Sequence, residues 1–338
     1  METWQILQTI WYILIGVLLV GYSILDGFDL GIGILTPFLA RKPSEKRILF
    51  NAIGPFWDGN EVWLLTAGGA LFAAFPQAYA TVFSGFYLAL MLVLFALIFR
   101  AVSLEFWSHD EGRQKTWEWT FVLGSFFPAL LFGVALGNVL LGIPLNSEMQ
   151  FTGSFFTLLR PYPLVLGVLG LTAILMQGST FTILKTSGQL QQNARKISRT
   201  IWWLYLIAFI LSFVVTFIFR RNLLGNVVAW VGAILFVVAL LVMRRSLRLN
   251  HERLPFMLSS AAFLVLWAIV GAIHFPNLVN ASNDSALSLT IHNASSSELT
   301  LTVMLIIALV GMPIVIGYTL YVYRVFKGKV QNEGDIFS

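Results

Sequence analysis

Nine stretches of the chain stay apolar for about the 20 residues that a helix needs to cross a hydrocarbon core. They fall at 8–35, 54–75, 79–101, 118–142, 161–184, 202–220, 223–243, 256–274 and 300–324. Only Arg220, Arg221 and Asn222 divide the sixth from the seventh. The pattern predicts an all-α polytopic membrane protein: one integral membrane domain of about nine transmembrane helices. Two four-helix bundles plus one extra helix fit the spacing, over 1–145 and 160–275, with a peripheral ninth helix at 300–324. A faint internal similarity supports the halves. The first helix ends GYSILDGFDLG and the fifth ends QGSTFTILKTSG, with Lys185 near the place of the first helix's acids.

Composition agrees with that plan. The chain is 58% hydrophobic and 11% charged, against about 25% charged in soluble domains. Every Lys and Arg except Arg160, Arg220 and Arg221 falls on one side of the nine-helix plan. By the positive-inside rule the N-terminus is expected outside and the C-terminus in the cytoplasm. The net charge of +5 does not point to nucleic acid, because the basic residues are spread over short loops. The first 21 residues lack a basic leader and a small-residue cleavage site, so they are expected to be a retained helix. With no cysteine, disulfides, iron–sulfur clusters and thioether-linked haem are excluded. The sequons at Asn280, Asn283 and Asn293 lie in a Ser- and Asn-rich external loop and read as chance products of its composition. The stretch 104–119 interleaves aromatics with charges and is expected to lie on the membrane surface.

Two pairs of acids stand out against this apolar background. Asp26 and Asp29 lie in GYSILDGFDLGIG, and Asp58 and Glu61 in GPFWDGNEVW. Residues three apart share a helix face, so each pair is expected to meet one neighbour. An acid at the centre of a membrane helix costs roughly 2.5–3.5 kcal/mol by insertion scales. Four of them point to protons, cations or a charged partner. The topology puts all four in the cytoplasmic half, with Arg100 at the end of the third helix as counter-ion. Several carboxylates around one guanidinium do not all stay charged in hydrocarbon, so the cluster is expected to hold at least one proton. The bland alternatives are that Asp58 sits at the positive end of a helix dipole and that Asp26 and Asp29 tie helices together through Arg100 or Asn60.

Histidine is informative by its position. His109 and His251 fall in cytoplasmic connections, His292 in the external loop and His274 at the outer end of the eighth helix. None is mid-helix, where a haem or copper site in the membrane needs its ligands. This chain by itself is therefore expected to bind no cofactor or metal. Gly133 and Gly137 lie four apart and precede Asn138, a pattern for close helix contact.

GYSILDGFDLGIGIL, GPFWDGNEVWLLTAGGALFAAFPQAYA and FRAVSLEF together resemble subunit II of the cytochrome bd quinol oxidases. The likeness is dense over 21–106 and continues through GNVLLGIP and MQGSTFTILKTSG. It implies a respiratory, proton-motive enzyme of the bacterial inner membrane that passes electrons from a quinol to dioxygen. It also implies that haem b and haem d sit on subunit I, that this chain pairs with subunit I as a heterodimer, and that a small single-helix subunit sometimes joins them. Membrane lipid and quinone are its other expected contacts. No residue of this chain is expected to be catalytic. The resemblance gives Asp58, beside Trp57, a place on a proton pathway from the cytoplasm. Asp26, Asp29 and Glu61 are further candidates, with Arg100, Trp57 and Asn60 in support. Without the resemblance, a proton-coupled secondary transporter or a scaffold for a catalytic partner would fit the composition and topology equally well.

Overall fold

The computed structural model describes residues 2–330. Its helices are α1 (Thr3–Leu39), α2 (Pro43–Ile53), α3 (Trp57–Ala74), α4 (Pro76–Gly85), α5 (Tyr87–His109) and α6 (Gln114–Leu141). They continue as α7 (Pro161–Lys185), α8 (Gly188–Phe219), α9 (Val227–Arg248), α10 (Leu254–His274) and α11 (Glu298–Val325). Two short antiparallel strands, β1 (Asn277–Val279) and β2 (Leu289–Thr290), lie in the last long connection. Among the described residues, eight helices are long and apolar enough to cross a membrane. The ninth segment of the plan is α3, which has 18 residues but opens on Trp-Asp-Gly-Asn-Glu. It runs antiparallel to α1, from Asn60 beside the Leu25 carbonyl to Ala74, whose carbonyl accepts from the Ser296 amide.

Several boundaries differ from the apolar pattern. The third span begins at Tyr87, not at 79, because Pro76 opens the separate short helix α4. Arg100 does not end that span; α5 runs on to His109. The stretch 104–119 is the tip of the α5–α6 hairpin, not a segment lying apart on the surface: helix fills both sides of a one-turn connection. α8 starts at Gly188 and carries its polar first turns beyond the apolar window. α2 is an added amphipathic helix. Pro43 opens it, and the Glu45 carboxylate accepts from the Arg41 and Lys42 amides.

Small residues set the closest contacts, as lipid gives helices no hydrophobic reason to associate. α1 and α7 cross at Gly31 and Gly178, where a Cβ on Gly31 would lie 2.8 Å from the Gly178 Cα. Phe28 and Phe181 stack beside that crossing, with centroids 3.8 Å apart. α6 and α7 meet where Gly133 faces the Gly167 Cα and Gly137 faces Pro163. Asn138 donates to the Val134 and Leu158 carbonyls and accepts from Arg160.

The end of the molecule away from most basic residues is closed by the loops. Arg160 and Arg220 both turn inward, donating to the Gly142 and to the Leu140 and Leu141 carbonyls that end α6. The three sequon asparagines are spent on the fold. Asn280 donates to the Leu140 carbonyl, Asn283 exchanges two bonds with the Leu145 backbone, and Asn293 bonds Thr290 and Ser288. At the basic end the chain after α11 returns to the bundle. The Val330 amide donates to the Lys185 carbonyl, and Lys185 Nζ donates to the Phe326 carbonyl. Lys329 and Gln191 both donate to Glu252 and hold its carboxyl below the ordinary carboxylate range.

Candidate functional site

Arg100 is fully buried on α5 and faces α1 and α3. Its Nη2 and Nη1 donate to the two carboxylate oxygens of Asp26, at 2.6 and 3.1 Å. Nη1 also donates to Glu61 at 3.2 Å. One guanidinium thus binds three helices. α6 closes over it at Gly124, where a Cβ would come within 2.9 Å of the Arg100 amide nitrogen. The fork geometry of Arg matches a carboxylate in two parallel bonds, which is what a buried pair needs to offset its desolvation.

Asp29 sits one turn further along α1 and is also fully buried. It does not reach Arg100 for a hydrogen bond. It accepts from Asn60 of α3 at 2.7 Å, and Asn60 accepts in turn from the Tyr323 hydroxyl of α11 at 3.4 Å. The second oxygen of Asp29 and Nε of Arg100 are buried without a hydrogen-bond partner among the described residues. The two acids of α1 therefore serve different neighbours. Residues three apart are about 60° apart around a helix axis, enough to split a pair between α5 and α3.

The second pair divides further. Glu61 keeps its side chain 25% exposed and touches Arg100 from the rim of the cluster. Asp58 is exposed on the outer surface of α3 and makes no hydrogen bond or ion pair among the described residues. The same outward face continues through Val62, Leu65, Gly69 and Phe72. A single carboxylate thus heads a stripe of hydrocarbon. Trp57, half-buried, packs against the core beside it. The site therefore grades from the closed Asp26–Arg100 pair, through partly exposed Glu61, to open Asp58.

Tyr323 is not legible as a site residue, since it lies 263 positions from Asn60 and only packing brings α11 to α3. The same applies to the Phe56 ring, which Tyr323 overlies at 4.4 Å and Lys185 Nζ approaches at 5.0 Å. A cavity of about 440 Å³ is a cleft between α1, α3 and α11 that begins at Val62 and Trp63, directly after Glu61 in α3. Its walls are almost entirely hydrocarbon. His274 is buried at the end of α10 against Asn280, and His292 bonds Gln8 in the loop. Among the described residues no three His, Asp or Glu side chains converge on a metal position.

A bundle of long apolar helices that buries an Arg–carboxylate cluster beside one open acid defines a polytopic membrane protein. The sequence profile described as "Cytochrome bd terminal oxidase subunit II" matches residues 7–326, and the chain belongs to that family. It is 37% identical to cytochrome bd-I ubiquinol oxidase subunit 2 of Escherichia coli (strain K12), over 98% of this chain and 97% of that protein. It is 35% identical to cytochrome bd ubiquinol oxidase subunit 2 of Bacillus subtilis (strain 168), over 97% and 98%. Its fold matches a chain from "The structure of bd oxidase from Geobacillus thermodenitrificans" with a TM-score of 0.78. That match covers 95% of this chain and 98% of the other at 17% identity.

Proposed function

We propose that this chain is the haem-free second subunit of a respiratory quinol:dioxygen oxidoreductase of the bacterial inner membrane, and that it supplies protons from the cytoplasm to a haem-bearing first subunit. Its relatives carry the name of ubiquinol oxidase subunits along nearly their whole length. Electron transfer from quinol through haem b and haem d belongs to the partner, with or without a further single-helix subunit. The basic end of the bundle faces the cytoplasm, because Lys and Arg are retained there during insertion. A transporter reading loses its footing with the family membership.

The observation that carries the proton role is the position of Asp58. It is an exposed carboxylate at the cytoplasmic start of α3, unpaired among the described residues, on a face that is otherwise apolar. An acid facing lipid there is costly; an acid facing a polar seam with a second subunit has a use. Reduction of dioxygen to water consumes protons, and drawing them from the cytoplasm builds a gradient. Glu61 stands one turn from Asp58 and accepts from Arg100, so it passes charge changes at the surface to the buried cluster. Arg100 acts as a positioning residue: by fixing Asp26 and Glu61 it sets where α3 stands. Asp29 and Asn60 support the same helix from the other side. The domain reading of two four-helix units with α11 outside them belongs to this proposal too, with the Gly31–Gly178 crossing as the joint between the halves.

In the purified two-subunit complex, Asp58→Asn is expected to slow oxygen-linked proton uptake at least tenfold, measured by flow-flash with a pH dye, while haem content stays normal. Unchanged uptake sinks the role of Asp58. Loss of haem together with activity assigns Asp58 to assembly instead.

A further inference from the structure

The basic ends of α8 and α9 enclose a cavity of about 370 Å³ that no part of the proton reading uses. Its lining is Arg199, Trp202, Trp203, Arg244, Leu247 and Arg248. Three guanidinium groups meet in it without a carboxylate in the wall. None of the three forms an ion pair among the described residues. The Glu252 carboxylate in the next turn is already taken by Lys329 and Gln191.

The cavity is built rather than incidental. Arg244 lies over both indoles, 4.5 Å from the Trp202 ring and 4.2 Å from the Trp203 ring. Trp202 is buried and anchored by its indole N–H to the Leu240 carbonyl at 2.7 Å. Arg199 reaches across from α8 to the Leu247 carbonyl of α9 at 3.3 Å. Arg244 is thereby held on the wall by stacking, which leaves its N–H edge free for an oxygen acceptor. Outward from this level, Leu204, Ile207, Leu241 and Val238 are exposed hydrocarbon on the same two helices. A cationic pocket thus borders an exposed apolar face, and its paired indoles and guanidiniums suit a membrane interface.

We propose that this cavity binds the phosphate of an anionic phospholipid of the cytoplasmic leaflet, with Arg199, Arg244 and Arg248 around the headgroup and the acyl chains along α8 and α9. Basic pockets between helices on the cytoplasmic side suit anionic headgroups. Three uncompensated positive charges favour phosphatidylglycerol over phosphatidylcholine, whose own ammonium offsets its phosphate. The site lies apart from Asp58 and Arg100 in sequence and function, so its test does not depend on the proton proposal.

The test is native mass spectrometry of the detergent-purified complex titrated with dioleoyl-phosphatidylglycerol or dioleoyl-phosphatidylcholine. The wild type is expected to bind one phosphatidylglycerol tightly and phosphatidylcholine weakly. R199Q/R244Q/R248Q is expected to lose that binding by on the order of a hundredfold. Arg245→Gln, on the exposed side of α9 outside the cavity, is expected to bind as the wild type does. Equal binding by the triple variant and the wild type overturns the proposal. Displacement of the lipid by millimolar inorganic phosphate overturns the lipid assignment and leaves a site for free anions. Should the triple variant fail to assemble, R199Q/R248Q decides between the same outcomes, since both of these side chains are exposed and Arg244 keeps its place on the indoles.

Discussion

At the residue scale, one buried arginine organises the site. Breaking a buried pair by removing one partner costs roughly 3–5 kcal/mol, because a desolvated charge is left alone. Arg100→Gln leaves Asp26 and Glu61 without their donor. It is expected to lower the melting temperature of the complex and to shift the pH profile of turnover. Asp26→Asn combined with Arg100→Gln is expected to recover part of the lost stability, since the orphaned carboxylate is gone. Strictly additive losses in that double-mutant cycle count against a direct pair. The sequence made the acids and Arg100 visible because charge is rare in hydrocarbon. It did not make their partners visible. A three-residue spacing says that two side chains are near each other, yet Asp26 turned to α5 and Asp29 to α3, and Asp58 turned outward altogether. Which neighbour lies 60° to either side is a matter of packing, and α11 brings Tyr323 to Asn60 from the far end of the chain.

At the scale of the element, long apolar helices were legible and short amphipathic ones were not. α7 and α10 were found almost to the residue because Arg160-Pro161 and His274-Phe275-Pro276 punctuate them. α2 was missed: a search for 20 apolar residues passes over 11 that mix Lys46 and Arg47 with Ile48, Leu49 and Phe50. The start of α5 differs from the pattern because residues 75–87 carry no charge, so nothing in the sequence separates them from the span except Pro76. Its end differs because Arg100 does not terminate the helix: Asp26 and Glu61 neutralise it inside, and α5 runs on to His109. The glycines make sharper element-scale tests. Gly31→Ala and Gly178→Ala both drive a methyl into backbone at the α1–α7 crossing. Each is expected to destabilise by about 1–3 kcal/mol, read as a fall in melting temperature. Gly16→Ala, on the same helix with no atom within 4 Å of a new Cβ, is expected to be neutral or stabilising by up to about 1 kcal/mol.

For the whole molecule, the polar beginning of α3 bears on how the chain enters the bilayer. Among the described residues, eight helices are long and apolar enough to cross a membrane; α3 is not among them. The group that compensates Glu61 is Arg100, made 39 positions later. While the ribosome is still adding the residues between them, the nascent α3 has no counter-charge and no reason to leave water. α3 is therefore expected to enter together with α5 as a pair. A chain stopped at residue 86 is expected to leave a glycosylation acceptor placed just after Ala74 unmodified in a translocation assay, and a chain stopped at residue 113 to see it modified. Modification of the shorter chain would mean that α1 alone recruits α3.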